Sequence, residues 1–347
     1  MLPRHALLTL RALARGFPVV AITGPRQSGK TTLARAAFAH LPYVNLEDPD
    51  TRELALADPR RFLSRLAQGA VLDEIQRAPQ LTSYLLGLAD SAPAMGRWVL
   101  TGSQQFGLMD GIGQSLAGRV GMLTLLPLAH AELPAAVSLE ERLWRGGYPA
   151  LNAAHRELQP AHWFASYLAT YVERDVRQIL NVGNLLTFQR FVAMCAARSA
   201  QWLNLNRLAA DCGIGQSTAR QWLTVLQASH LVALLAPCHR NFGKRLVKGP
   251  QASLPGHGLA VPADCHFWRD NHGLEIDIMF EHANWLHAVE CKSGTTYSAD
   301  WLAPVRRWRQ AAGPQAADPI LVYGGDQSYR REDHAVLSWR ELGVECG

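Results

Sequence analysis

The 347-residue chain lacks a cysteine framework: its six cysteines, at 195, 212, 238, 265, 291 and 346, contain no CxxC pair. That spacing argues against a disulfide scaffold and against a cysteine-bound zinc, and fits reduced thiols. No uninterrupted apolar run reaches the roughly 18 residues that span a bilayer, and the first 17 residues carry Arg4, Arg11 and Arg15 without a signal-like apolar stretch. The expectation is a cytoplasmic protein with no membrane partner. Charge is sparse at 18% and hydrophobic residues make up 48%, so a disordered or solvating chain does not fit. Internal repeats and low-complexity tracts are absent too. What remains is a globular chain long enough for two or three cores.

The net charge of +5 is unevenly spread. Residues 186–250 hold eight Arg or Lys (190, 198, 207, 220, 240, 244, 245, 248) against one acid, Asp211, which makes this stretch +7 and the remainder −2. A basic segment in a slightly acidic chain suits either a solvated face or a nucleic-acid contact.

Near the start, Phe17-Pro-Val-Val-Ala-Ile-Thr23 is a β-branched apolar run with the composition of a buried parallel strand. It leads into Gly24-Pro25-Arg26-Gln27-Ser28-Gly29-Lys30-Thr31-Thr32, a complete Walker A sequence followed by helical composition to residue 40. Glycines let the backbone wrap phosphates, and the loop amides with the helix N-terminus supply positive potential. Lys30 suits the β- and γ-phosphates of ATP, and the Thr31 hydroxyl suits Mg2+. Further strands are expected at 43–46, 70–72 and 97–101, with helices between. That alternation predicts a doubly wound parallel P-loop sheet over residues 1–130, its ligand beyond the carboxyl ends of the strands.

Asp73 and Glu74 close the strand at 70–72. A carboxylate there can hold the Mg2+ shell while its neighbour orients and deprotonates water, so Asp73 is assigned to the metal and Glu74 to catalysis with Lys30. Thr101, Ser103 and Gln104 are candidates to sense the terminal phosphate, and spacing leaves open which one does. Arg119 is a candidate arginine finger, in cis or toward a neighbouring subunit, with a structural ion pair as its commoner fate.

Residues 131–200 read as helical, with Trp144, Tyr148, Trp163, Phe164, Tyr167, Tyr171, Phe188 and Phe191 as core aromatics. From 201 to 250 the order helix, Cys212-Gly-Ile-Gly215 turn, helix, apolar strand matches a winged helix-turn-helix. Gln216, Ser217, Arg220 and Gln221 would open the recognition helix, and DNA is the candidate partner, with protein docking the alternative. Residues 251–264 read as a linker, and 251–347 as a small α/β unit with strands at 266–268, 274–280, 285–291 and 320–323.

Together GPRQSGKTTL, VLDEIQ, VLTGSQQF, SLAGRV, LPLAHAEL, GGYPAL, YLATYVERDV, LVKGP and FWRDNHGLEIDIMFE…VECKSG resemble the prokaryotic AAA-type ATPases that carry a C-terminal domain of unknown function. That last domain is similar to the PD-(D/E)xK nuclease fold. The resemblance implies ATP binding and hydrolysis, a winged-helix middle and homo-oligomerisation. Asp277 followed by Glu290-Cys-Lys292 has the D…ExK spacing with which carboxylates hold a divalent metal and a lysine positions water. The chain departs from its relatives after Leu246-Val-Lys-Gly-Pro250. An aromatic strand, an Asp-Thr-Gly turn and a helix with an acidic residue are not recognisable there, so the tail reads as a shortened, inactive remnant or docking surface. Two function classes follow: a Mg-dependent ATP hydrolase acting as a switch on DNA, and an ATP-responsive protein-interaction module.

Overall fold

The structure is a computed structural model that describes residues 2–91, 94–102, 118–134, 137–153, 157–171, 185–238, 251–253, 265–270, 273–331 and 333–342. Ser103, Gln104, Arg240, Lys244, Arg245 and Lys248, singled out above, lie outside the described residues, as does the side chain of Tyr171. Two compact units emerge. The first comprises residues 1–128, 147–157 and 228–231, the second 129–146, 158–227 and 232–347.

In the first unit the strands are β1 (Val19–Thr23), β2 (Tyr43–Asn45), β3 (Ala70–Asp73), β4 (Trp98–Thr101) and β5 (Val120–Thr124). They form a parallel sheet in the order β2-β3-β4-β1-β5. Helices α1 (Ala6–Gly16), α2 (Lys30–Ala37), α3 (Pro49–Ala57), α4 (Pro59–Ser64) and α5 (Leu81–Ser91) accompany it. Alternate side chains of one strand point to opposite faces, and β1 is buried on both. Val19 and Ala21 join Leu72, Trp98, Leu100 and the α5 leucines 81 and 85, whereas Val20 and Ile22 join Leu10 of α1 and Leu33 of α2. This two-sided cover is why the strands read as continuous apolar runs rather than as alternating ones. Asp48 and Asp58 cap α3 and α4 by accepting from Thr51 N and Arg61 N, with proline at the first helical position of each. Between α5 and the earlier strands the chain folds as α/β units of the doubly wound kind, with α1 and β5 as elements the sequence did not announce.

Helix α6 (Leu139–Arg145) belongs to the second unit, and the short α7 (Pro149–Asn152) returns to the first. The second unit continues with α8 (Pro160–Tyr171), α9 (Leu185–Ala197), β6 (Gln201–Trp202), α10 (Leu205–Cys212), α11 (Gln216–Ala228), β7 (Ala233–Pro237) and β8 (Gln251–Ser253). Asn204 caps α10 by accepting from Arg207 N, and Gly213 ends it in the left-handed conformation. Phe188 and Phe191 of α9 pack edge-on against Trp222 of α11, with ring centroids 5.1 and 5.5 Å apart. Phe188, Phe191, Tyr148 and Tyr167 are buried as expected of core aromatics, but Trp144 is 60% exposed. Trp144 faces out because α6 is a two-turn helix that buries Arg142 instead, whose guanidinium donates to the Pro134 carbonyl.

The remaining strands are β9 (His266–Arg269), β10 (Glu275–His282), β11 (Trp285–Lys292), β12 (Ile320–Tyr323), β13 (Tyr329–Arg331) and β14 (His334–Ser338), with α12 (Ala303–Ala312) before β12. Strand β7 pairs β9 in parallel through Ala236 and His266, so β6 to β14 form one mixed sheet, ordered β13-β14-β12-β11-β10-β9-β7-β8-β6 among the described residues. Among those residues no helix is long and apolar enough to cross a membrane.

The Phe188, Phe191 and Trp222 cluster is the packing that joins α9 to α11. Truncating a fully buried phenylalanine removes its transfer free energy and leaves a cavity, so Phe188→Ala should cost about 3–5 kcal/mol. Urea unfolding of the parent and variant measures this, and a loss below about 1 kcal/mol would contradict the buried position of Phe188.

Candidate functional site

The site grows out of the carboxyl end of β1. Thr23 ends the strand fully buried, and Gly24 turns the chain with φ 137°. A Cβ at Gly24 would collide with the Leu125 carbonyl oxygen, so only glycine allows this close approach of the loop to β5. The loop then runs through buried Pro25, half-buried Arg26, exposed Gln27 and buried Ser28 to Gly29, which starts α2 with φ 95°. The Ser28 hydroxyl is buried without a hydrogen-bond partner among the described residues.

Lys30, the first residue of α2, is 6% exposed, and its ammonium donates to the carbonyls of Gly24 at 3.0 Å and Pro25 at 2.7 Å. Burial pushes Lys30 down from 10.5 to about 8; Glu74 and Asp73 oppose that fall, and the Arg26 charge adds to it. Thr31 follows on the same turn, half-buried, and Thr32 is exposed.

Asp73, at the end of β3, is 6% exposed and accepts from three hydroxyls. Thr31 Oγ1 lies 3.1 and 3.0 Å from its two oxygens, Tyr43 OH reaches one oxygen at 2.7 Å, and Thr101 Oγ1 donates to the other. Burial first, and the Asp73 hydrogen bond and charge next, raise the Tyr43 phenol above its ordinary range. Glu74 comes next in a left-handed conformation, φ 56° and ψ 46°, and accepts from the Gln76 amide. Such a backbone is uncommon outside glycine and directs the Glu74 side chain differently from a continuing strand. Its carboxylate is the strongest negative charge acting on Lys30.

The structure thus brings together 24–31, Asp73, Glu74 and Thr101. It does not bring Arg119. That residue precedes β5, whose Val120 pairs Val19 at the start of β1, so it lies at the opposite end of the strand from Gly24, roughly 16 Å away at 3.3 Å per residue. Arg119 pairs instead with Asp90 at 2.5 Å. The in-cis finger is therefore corrected: parallel register carries the residue before β5 away from the phosphate loop.

Two groups at the site are not marked out by the sequence. Tyr43 reads there only as part of a strand, and its aromatic type on a strand end is the one available signal. Arg4 donates to Ser28 O at 2.9 Å and Leu126 O at 2.6 Å, holding the loop against the end of β5. The Gly147-Tyr148-Pro149 segment also reaches the loop: Leu128 N donates to Gly147 O at 2.7 Å, and Pro149 Cγ stands 3.8 Å from where a Gly29 Cβ would be.

In the second unit Asp277 and Glu290 are cross-strand neighbours, one step beyond the Ile278–Val289 pair of β10 and β11. Asp277 accepts from Cys291 N at 2.8 Å, and Lys292 pairs with Glu290 at 2.5 Å. Glu290 is 4% exposed, and burial raises its carboxyl, helped by the Asp277 and Glu275 charges and opposed by Lys292. No group of three or more His, Cys, Asp or Glu suited to hold a metal ion occurs among the described residues. At the other surface feature expected to contact a partner, Gln216, Ser217, Arg220 and Gln221 are all exposed on the first turns of α11, and Arg190 and Arg207 are exposed nearby in sequence. Arg198 instead pairs with Asp211, the one acid of the basic stretch.

Residues 16–133 match a family model described as an AAA domain, 137–263 a domain of unknown function (DUF8612), and 254–342 a second domain of unknown function (DUF4143). The uncharacterized proteins Mb2031c of Mycobacterium bovis and Rv2008c of Mycobacterium tuberculosis are each 29% identical over 370 aligned positions, covering 96% of this chain and 82% of theirs. Among solved structures, the Walker-type ATPase of Pyrococcus abyssi is 12% identical, with 74% of this chain and 95% of that chain covered at a TM-score of 0.46. The Aeropyrum pernix ORC2 protein, in its ADPNP and ADP complexes, is 14% identical, with 74% and 91% covered at a TM-score of 0.42. The chain thus joins an AAA domain with the fold of a P-loop nucleotide-binding ATPase to a C-terminal DUF4143 domain.

Proposed function

We propose that the chain binds ATP with Mg2+ at the 24–31 loop, hydrolyses it, and works as a molecular switch whose winged-helix region contacts DNA. The observation that carries the ATP reading is the buried Asp73 carboxylate held by the Thr31 hydroxyl beside the buried Lys30 ammonium. An oxygen-only pair of this kind suits a hard cation such as Mg2+, and the partnerless Ser28 hydroxyl suits a ligand rich in acceptors. Thr31 and Asp73 would hold the metal, which when bound supplies charge neutralisation at the phosphates. Lys30 and the loop amides orient the phosphates. Glu74 accepts a proton from the attacking water, and Thr101, tied to Asp73, fixes the carboxylate at the end of β4.

What supports the DNA reading is the order α9, β6, α10, α11, β7, β8 together with the exposed polar face that opens α11. Gln216, Ser217, Arg220 and Gln221 have the chemistry for phosphate and base-edge contacts. The +7 balance of residues 186–250 supplies the long-range attraction. The D…ExK group of the tail is read as inactive. Its two carboxylates are engaged by Cys291 N and Lys292, and two protein oxygens place a metal weakly.

Three measurements test this reading. Lys30→Ala should abolish ATP binding in calorimetry, whereas Glu74→Gln should bind ATP as the parent does and turn over about 100-fold more slowly, the usual scale of a lost general base. ATP hydrolysis by Lys30→Ala at the parent rate would refute the assignment of the loop.

The second concerns pH. Lys30 is charged below about 8 and loses its proton above it. An anionic ligand prefers the charged form, so binding above pH 8 must take up a proton. ATP affinity should then be flat from pH 6.5 to 7.5 and fall by up to tenfold per unit as pH rises past 8. A flat profile to pH 9.5 would contradict the buried, charge-bearing role of Lys30.

The third uses duplex DNA of random sequence. Binding by the parent should weaken steeply with salt. The Arg207→Glu, Arg220→Glu double variant should bind more weakly, its slope shallower by about one unit for each phosphate it no longer neutralises. Equal affinities and slopes for parent and variant would favour a protein-docking role for the same surface.

A further inference from the structure

Strand β2 is three residues long and the outermost strand of its sheet among the described residues. Its Tyr43 stands opposite Val71 of β3, and Asn45 opposite Asp73. Val71 packs with Leu33 and Ala34 of α2, so Asp73, two positions on, faces α2 as well, and Tyr43 shares that face. Val44 and Leu72 pack in the cluster on the opposite face.

Helix α2 meets Asp73 and Tyr43 with two residues one turn apart. Thr31 donates to Asp73, and the Arg35 guanidinium lies over the Tyr43 ring, 4.8 Å from its centroid. Residues four apart on a helix share a face, so one face of α2 touches both the carboxylate and the phenol that reaches it. The cation–π contact holds the ring, and the hydroxyl extends along the sheet to Asp73 Oδ2 at 2.7 Å. A phenylalanine would fill the same place under Arg35, so packing does not call for the oxygen.

What the hydroxyl does follows from the donors around Asp73. Tyr43 reaches Oδ2 and Thr101 reaches Oδ1, while Thr31 stands near both. With a donor fixed on each oxygen, the carboxylate plane is held from two sides. The Thr31 hydroxyl has one hydrogen and two lone pairs. Giving that hydrogen to a carboxylate held in this way turns the lone pairs away from Asp73, where a hard cation can use them.

We propose that Tyr43 is a positioning residue of the cation site, its hydroxyl holding the Asp73 carboxylate so that Thr31 presents its lone pairs to the Mg2+ that accompanies ATP. This role rests on the ATP reading above and adds a residue outside the 24–31 loop and the Asp73-Glu74 pair. Hydrogen-bond partners of metal-holding groups typically set metal affinity on a scale of roughly 10- to 100-fold.

The test is ATP affinity by calorimetry, in Mg2+ and in EDTA, for the full chain, Tyr43→Phe, Asp73→Asn and the double variant. Phenylalanine keeps the ring and removes only the donor. In EDTA the parent and Tyr43→Phe should bind ATP alike, and their nucleotide-free melting temperatures should agree within a few degrees. The tightening that Mg2+ produces should be about tenfold smaller in Tyr43→Phe. In the Asp73→Asn background the same substitution should change that tightening no further. An equal Mg2+ effect in parent and Tyr43→Phe overturns the proposal while the P-loop reading stands. A loss of equal size in EDTA and in Mg2+ also overturns it, because Tyr43 would then act on the nucleotide or the fold rather than on the cation site. If the parent binds no ATP, both readings fall.

Discussion

The buried Asp73 carboxylate is the interaction on which the nucleotide-binding unit turns. It takes hydroxyl hydrogen bonds from Thr31 on α2, Tyr43 on β2 and Thr101 on β4 while standing on β3. Four elements are therefore registered at one point, at the carboxyl end of the sheet. Burying a carboxylate is unfavourable unless several donors meet it, and here each donor comes from a different element. The order β2-β3-β4-β1-β5 makes this possible by setting β3 between β2 and β4, with β1 one strand further on.

Around that carboxylate the loop is arranged so that charge and geometry support each other. Lys30 sits at the N-terminus of α2, where the helix dipole already disfavours a cation, and burial disfavours it further. It remains held by two carbonyls of its own loop and by the Glu74 and Asp73 charges. Arg4 fixes the loop from outside by bonding Ser28 O and Leu126 O, which ties the chain start to the end of β5. A loop restrained at both ends presents its amides in fixed positions, and preorganised donors are worth more to an anion than donors that must be gathered on binding.

The parts legible in the sequence are those whose chemistry is contiguous. The 24–31 loop, Asp73 and Glu74 can be read because each sits directly after a short apolar run, and the parallel sheet follows from that alternation. Tyr43 and Arg4 are not legible, because what makes them site residues is proximity across 30 and 24 positions of chain. Arg119 is misleading for the converse reason: the sequence announces no strand after it, and only the parallel register of β5 shows at which end of the sheet it lies. Trp144 illustrates a different limit. An aromatic residue is usually assigned to a core, but Trp144 and Arg142 stand two positions apart on α6 and so do not share a face, and the buried arginine finds the backbone carbonyl that makes its burial tolerable.

In the second unit the described strands on either side of residue 250 share one sheet. After α11 the chain returns as β7, which pairs β8 on one side and β9 on the other. Val232 N donates to Leu226 O at 3.2 Å, so the start of β7 is tied directly to the last turns of α11. Strand β9 in turn pairs β10, and β10 pairs β11, which carries Glu290 and Lys292. Hydrogen-bonded strands within one sheet do not slip past each other without breaking a ladder, because a one-residue shift turns every side chain to the wrong face. Within the second unit β7 is therefore linked through β9 and β10 to the strand that carries Glu290 and Lys292.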